Sequence, residues 1–514
     1  MATIKLDPIT RLEGHMKVEV EIDDNNKVTE ARSTGNMFRG FEAMLKNRDP
    51  RDAVHITQRI CGLCPVSHGI AAVKAIEASK GFTPSDQAVL IRNLIEGGNF
   101  LSDHILHFYH LSLLDYVKGP DKSPWKTNFN TDMRFSEEES KKIFEHYVKA
   151  LDVRRKGHQM VALLGGRMPH VRSIMPGGVT KVPSADEIKQ YKELLSEVSD
   201  FINNEYYEDV QKVASVYSDY FDIGKGYGNL ISFGAFEVEE ANGSKQELFR
   251  SGRYTNGDLL SVDFTKIKES TKYSWYKGSS AQGITSESST PDINKSGAYS
   301  WIKSTRYEDT PYEAGPIARM WINGDYRNGV SVMDRHVAKM LEAKKLANAL
   351  SIWINNLKDY KIADTTSGDK YNKDLYDPKM HSFSYLTNGE GVGVTEAPRG
   401  ALLHYIKYSV SDTPIVTTSR DGTVTTAYHS LIDNYQVITP TCWNASPKDT
   451  KGKRGPLEQA LIGVTISDVN NPVELMRIVH SFDPCTACAV HIMTPDKSVD
   501  KSFIVSTPNP NGII

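Results

Sequence analysis

Apolar and polar positions alternate along Ile4–Leu6 and Met16–Ile22, Asp23-Asp24-Asn25-Asn26 offers a turn, and Val28–Arg32 returns with the same period. That pattern predicts an N-terminal β-hairpin. From about Phe38 to Val117 the period lengthens to that of a helix. Pro84-Ser85-Asp86 provides a cap there, and Leu90, Ile91, Leu94, Ile95, Ile105, Leu106 and Leu113 follow. A helix apolar on several sides is a buried one. Ser136 and the three glutamates after it open another long helix reaching Leu164, with acidic residues placed against its N-terminal dipole. Ala185–Val216 reads as one helix. Val337, Met340, Ala343, Ala347, Leu350, Ile354 and Leu357 step along one face of a helix over Met333–Leu357. Residues 228–325 break into Gly-, Ser-, Asn- and Tyr-rich segments, read as strands and loops, and alternation returns between 400 and 440 with Asp421-Gly422 as a hairpin turn. The fold class is therefore mainly α with added β (α+β): long buried helices, an N-terminal hairpin and peripheral strands in a single interwoven body.

Composition narrows the class of protein. The 514 residues are 39% apolar and 24% charged, as in an ordinary well-packed domain. A formal charge of −3 offers no basic field for nucleic acid. No apolar run approaches the ~20 residues that span a bilayer. Met1–His15 has no apolar core, so no signal peptide is expected there and export would fall to a partner.

The five cysteines change the picture most. Four of them form two Cys-x-x-Cys pairs at opposite ends of the chain, Cys61/Cys64 and Cys485/Cys488, and Cys442 is left over as a small buried hydrophobe. A two-residue gap lets both sulfurs of a pair turn toward one ion, and four thiolates make a soft ligand set for zinc, an iron–sulfur cluster or a thiophilic metal such as nickel. Structural zinc is the commonest meaning of such pairs. The flanking residues point elsewhere: Arg59 and His68 surround the first pair, Asp483 and His491 the second. A closed zinc site needs no such neighbours, whereas donors and charges around thiolates tune a reactive metal.

Both clusters, Arg59-Ile-Cys61-Gly-Leu-Cys64-Pro-Val-Ser-His68 and Asp483-Pro-Cys485-Thr-Ala-Cys488-Ala-Val-His491, resemble the two signature motifs of nickel–iron hydrogenase large subunits. The resemblance extends to Asp7–His15, Phe38–Glu42, Asp103–His110, Glu396–Gly400 and Trp443-Asn-Ala, in family order. It is weakest over 228–325 and 405–435, where the second stretch looks like an elongated hairpin. The resemblance implies terminal nickel ligands at Cys61 and Cys485, and bridges from Cys64 and Cys488 to an iron carrying CO and cyanide. His68 would donate toward a bridging sulfur. Glu13 would relay the proton released by heterolytic cleavage of H2, a step that needs a nearby base. Arg399 would hang over the open metal position with Asp103 and Asp483 as carboxylate partners. Pro398 and Thr441 would lie near the cyanides; the family more often has Ser at the second position. Glu42, the Val437 carbonyl and His491 match a family Mg2+ site, whose hard ion takes oxygen ligands readily. His104, His107 and His110 share the helix of Asp103 and are read as packing or hydrogen-bonding groups.

The implied activity is H2 ⇌ 2H+ + 2e−, in the respiratory uptake direction. With four cysteines committed to the Ni–Fe centre, no cluster can be built within this chain, so an iron–sulfur small subunit must carry the electrons. A hydrogen sensor using the same site is one alternative, and a non-catalytic scaffold of an electron-transfer complex another, the latter disfavoured because all four cysteines are present. The expected location is periplasmic, or the outer membrane face through the small subunit, with cytoplasmic as the alternative. Residues 1–491 form the subunit. Residues 492–514 are expected to be a maturation extension, removed by a protease after nickel-insertion proteins have acted. Active enzyme should therefore end at His491 by intact-mass measurement; a fully active, nickel-loaded chain still carrying residues 492–514 refutes this.

Overall fold

The computed structural model describes residues 2–126, 132–239, 244–358, 372, 374–381, 387–418 and 424–489. The N-terminal hairpin is the inner part of a three-stranded antiparallel sheet of Ala2–Leu6, Met16–Ile22 and Val28–Gly35. Met16, Val18, Val20 and Ile22 alternate inward as their spacing requires. The connection between the first two strands carries Glu13.

The helical body centres on Asp86–Ile105. Ser85 caps it by accepting the Ala88 N–H, and every residue from Leu90 to Ile105 is buried. It packs between the helices Glu137–Gly165 and Val332–Asn356. Ser136 and Glu139 close a reciprocal cap on the first of these, and Ser331 with Asp334 does the same for the second. Two expected helices run differently. Ala185–Val216 is two α-helical stretches, Ala185–Phe201 and Tyr207–Val216, joined by a wide π-helical turn over Ile202–Tyr206. A second π-helical turn, Leu106–Ser112, continues Asp86–Ile105. Such a turn inserts a residue without changing the hydrophobic pattern on either side, so apolar spacing alone does not announce it. The long helical run from Phe38 is also divided, with Phe41–Leu45, Asp52–Thr57 and Pro65–Ser79 preceding the central helix.

Leu230–Glu239, Lys245–Thr255, Asp258–Leu260 and Glu313–Ala314 form a four-stranded sheet, and Gly389–Ala397, Gly400–Val410 and Ser430–Ile438 a three-stranded antiparallel one. Beyond the latter, Ile415–Thr418 pairs with Val424–Ala427; the turn expected at Asp421-Gly422 lies outside the described residues. Among the described residues no helix is long and apolar enough to cross a membrane.

The Pro65–Ser79 helix lies directly on Gly389–Ala397. Glycine at 391 and 393 lets backbone meet backbone: a Cβ at Gly393 would sit 2.0 Å from the Ala71 carbonyl oxygen and 2.4 Å from the Ala75 nitrogen. Because that helix begins immediately after Cys64, this contact sets the depth of the first cysteine pair. Gly393→Ala should destabilise the subunit by about 2 kcal/mol through overpacking, seen as a lower melting temperature and reduced nickel content; unchanged melting refutes the contact's importance.

Candidate metal centre

Local structure delivers the first pair. Arg39 donates to the Ile60 carbonyl at 2.7 Å and also to the Arg59 carbonyl, holding the chain just ahead of Cys61. The Leu63 and Cys64 amides turn back on the Cys61 sulfur at 3.2 and 3.4 Å. Pro65 then opens the following helix, where its missing N–H costs nothing. On the other side, the helix Val473–Ser481 ends and Asp483 takes a φ of 50°, a left-handed conformation that Asp tolerates better than most residues. The Cys485 amide donates to Thr441 Oγ1 at 2.9 Å.

The result is a buried cluster. The Cys61 and Cys485 sulfurs are 3.4 Å apart, and the ligand atoms of Cys61, Cys64 and Cys485 all lie within 4.8 Å of one another. The Cys488 side chain and His491 lie outside the described residues. A 3.4 Å separation is far longer than a disulfide, about 2.05 Å. Three buried thiols converging in this way make a soft donor set for a thiophilic metal. The donor set fits a nickel centre.

Glu13 arrives from the other end of the chain. Its backbone forms an isolated parallel bridge with Cys485, its carbonyl accepts the Thr486 amide at 2.9 Å, and its Oε2 lies 3.1 Å from the Cys485 sulfur. Gly14 makes this approach possible, since a Cβ there would meet Thr486 Oγ1 at 2.3 Å. Burial first, and the Cys61 thiolate second, push the Glu13 carboxyl up to about 7.

Arg399 closes the site from another side. Its Nη1 is 2.8 Å from Asp103 Oδ2 and its Nη2 2.9 Å from Asp483 Oδ1, and Lys339 pairs with the second oxygen of Asp483. All four side chains are buried, two cations against two carboxylates. Burial alone would raise Asp483, but Arg399 and Lys339 outweigh it and hold the carboxyl well below the usual range. Arg399 Nε and Asp103 Oδ1 are buried atoms that make no hydrogen bond. Such atoms beside a thiol cluster are the mark of a site built to meet a bound group.

His68 is buried and held neutral, its imidazole lowered to about 4 by desolvation. Its Nδ1 is 3.1 Å from His404 Nε2, and His404 Nδ1 is 2.8 Å from the Tyr435 hydroxyl. Farther off, Glu42 Oε1 accepts the Val437 amide at 3.1 Å and lies 3.7 Å from the Lys303 ammonium, which pairs with Glu269 at 2.8 Å. Burial raises the Glu42 carboxyl above its usual range, against the opposing pull of Lys303. His104, His107 and His110 instead hydrogen-bond to Glu342, the His480 carbonyl and the Tyr147 carbonyl.

Lys339, His404 and Lys303 were not legible in the sequence. Each lies outside the motif windows, and each meets its partner across a long stretch of chain; Lys339 and Asp483 are 144 residues apart. The one available signal was a Lys within an otherwise buried helix face, which calls for a buried counter-ion.

Comparison with known proteins agrees with this geometry. A family model described as nickel-dependent hydrogenase matches residues 39–123 and 119–491, and a HoxL-like model matches residues 3–34. The chain is 40% identical to the periplasmic [NiFeSe] hydrogenase large subunit of Desulfomicrobium baculatum, with 95% of each chain covered. It is 31% identical to the quinone-reactive Ni/Fe-hydrogenase large chain of Wolinella succinogenes, covering 95% of this chain and 96% of that one. Its structure superposes on the Ni-Fe-Se hydrogenase of D. vulgaris Hildenborough in the as-isolated oxidized state with a TM-score of 0.83, at 38% identity over 95% of this chain and 100% of the other. This sequence carries cysteine at all four motif positions. The chain belongs to the nickel-dependent hydrogenase family, as a large subunit.

Proposed function

We propose that this subunit catalyses H2 ⇌ 2H+ + 2e− in the uptake direction, with Glu13 as the first proton acceptor. The observation that carries the reading is the Glu13 carboxylate 3.1 Å from the Cys485 sulfur, at the edge of three converging buried thiols. Cys61, Cys64, Cys485 and Cys488 would hold the Ni–Fe centre, Cys61 and Cys485 on nickel alone. When bound, that centre supplies the electrophilic site at which H2 is polarised and its two electrons are collected.

The chain's own residues do the rest. Glu13 Oε2 accepts the proton and, being only part-buried, passes it outward. Arg399 places a positive, planar fork over the site, and Asp103 and Asp483 keep it there. His68, neutral and dry, would donate toward a sulfur of the centre. Pro398 and Thr441 would line the iron side of the site. Glu42 and the Val437 carbonyl, with His491, would hold Mg2+. An iron–sulfur small subunit takes the electrons, and a protease and nickel-insertion proteins complete maturation. A periplasmic location fits the name of the Desulfomicrobium relative.

Two experiments test this. Purified mature enzyme should contain nickel and non-cluster iron in equal amounts, and Cys61→Ser should lose the nickel by elemental analysis; zinc in its place would end the reading. Glu13→Gln keeps size and polarity but cannot take a proton, so H2 oxidation should fall by about 10² or more with both metals retained. Full activity of that variant would move the proton route elsewhere.

A further inference from the structure

The turn that presents Arg399 is held from behind by a side chain outside every motif. Ala397 pairs with Gly400, so Pro398 and Arg399 alone form the loop between two strands. A two-residue hairpin prefers primed turns, which require a positive φ at the first loop position, and proline cannot adopt one. The loop is left with types I and II, which differ in the orientation of the peptide joining its two residues. Arg399 keeps a negative φ, and the strand mismatch is taken up at Gly400, whose φ is 135°. Turning the Pro398–Arg399 peptide over would move Arg399 to a positive φ and redirect its side chain.

Arg319 grips that peptide. It lies on the helix Pro316–Asn323 and is fully buried. Its Nη2 donates to the Pro398 carbonyl at 2.8 Å and its Nη1 to the Ala397 carbonyl at 3.0 Å. The remaining donors are also engaged: Nε on Glu342 Oε2 at 2.7 Å, Nη2 on Glu342 Oε1 at 2.6 Å and Nη1 on Glu396 Oε2 at 2.5 Å. Every N–H of the guanidinium has an acceptor. The two carboxylates are themselves fixed, Glu342 by His104 at 2.8 Å and Glu396 by the Phe233 amide at 2.6 Å. The guanidinium is thus an immobile brace between the central helix, the long helix Val332–Asn356 and the loop.

We infer that Arg319 is a positioning residue for the reaction: it fixes the peptide between Pro398 and Arg399 and so aims the Arg399 guanidinium between Asp103 and Asp483. The inference rests on the reading of Arg399 as the group over the metal centre. A merely structural Arg319 would stabilise the subunit through its two ion pairs and leave Arg399 indifferent.

Arg319→Lys separates these. It keeps the charge between Glu342 and Glu396 but has three donors for five acceptors. In the nickel-loaded heterodimer, turnover should fall by about tenfold to a hundredfold at unchanged nickel content. On an Arg399→Lys background the same change should cost less than about twofold, since a brace acting through Arg399 has nothing left to aim. Amide exchange supplies a readout independent of activity: Arg399, Gly400 and Ala401 should exchange at least about tenfold faster in Arg319→Lys, while Gly391–Val394 stay unchanged. Full turnover of Arg319→Lys, losses that multiply in the double variant, or unchanged exchange at 399–401 would each overturn the proposal. If Arg399→Lys is itself fully active, the reading of Arg399 fails, and exchange alone decides whether Arg319 fixes the turn. If Arg319→Lys does not fold, Glu342→Gln, which leaves an acceptor but removes one of the two braced charges, should show the same loss and the same non-additivity; normal turnover there would also overturn the proposal.

Discussion

Everything in this subunit answers to one constraint: thiols from residues 61–64 and from residue 485 must meet within 4.8 Å in a dry interior. Neither cysteine pair can build that site alone, and each sits where a helix starts or stops. The chain therefore has to bring its first and last hundred residues into register. It does so with backbone as much as with side chains. The connection carrying Glu13 meets Cys485 in an isolated bridge, so the Glu13 carboxyl and a sulfur of the thiol cluster are placed by the same hydrogen bonds.

Charge is the second problem posed by a dry site. Ions buried without partners are costly, and the protein balances them in local groups. Arg399 and Lys339 face Asp103 and Asp483 beside the thiols, while Arg319 faces Glu342 and Glu396 one layer out. Each set ties together helices and strands that are distant in sequence. The inner set leaves atoms without hydrogen bonds, and the outer set leaves none on its guanidinium. That difference separates a site prepared for a ligand from a brace that supports it.

How much of this was legible beforehand depended on whether the signal was local. Caps at Ser85 and Ser136 mark where two long helices start, and apolar spacing alone marks a third, Val332–Asn356, to within one residue at each end. Cysteine spacing marks the metal centre, and short motifs around Glu13 and Arg399 mark its neighbours. The π-helical turns at Leu106 and Ile202 left no trace, because one added residue within a helix leaves a local sequence that still reads as ordinary helix.

By itself, then, the amino-acid sequence determined the α+β class, the thiol donor set and the family, since each is written in spacing over a few residues. Only the tertiary structure decided which charges face which: Lys339 on Asp483, His404 on His68, Lys303 beside Glu42 and Arg319 on the carbonyls before Arg399. Those partners are separated by long stretches of chain, and a single Lys, Arg or His carries no record of its counter-ion. The pairing is set by where the helices and strands pack, because burial leaves each ion no alternative but the partner that packing puts within reach.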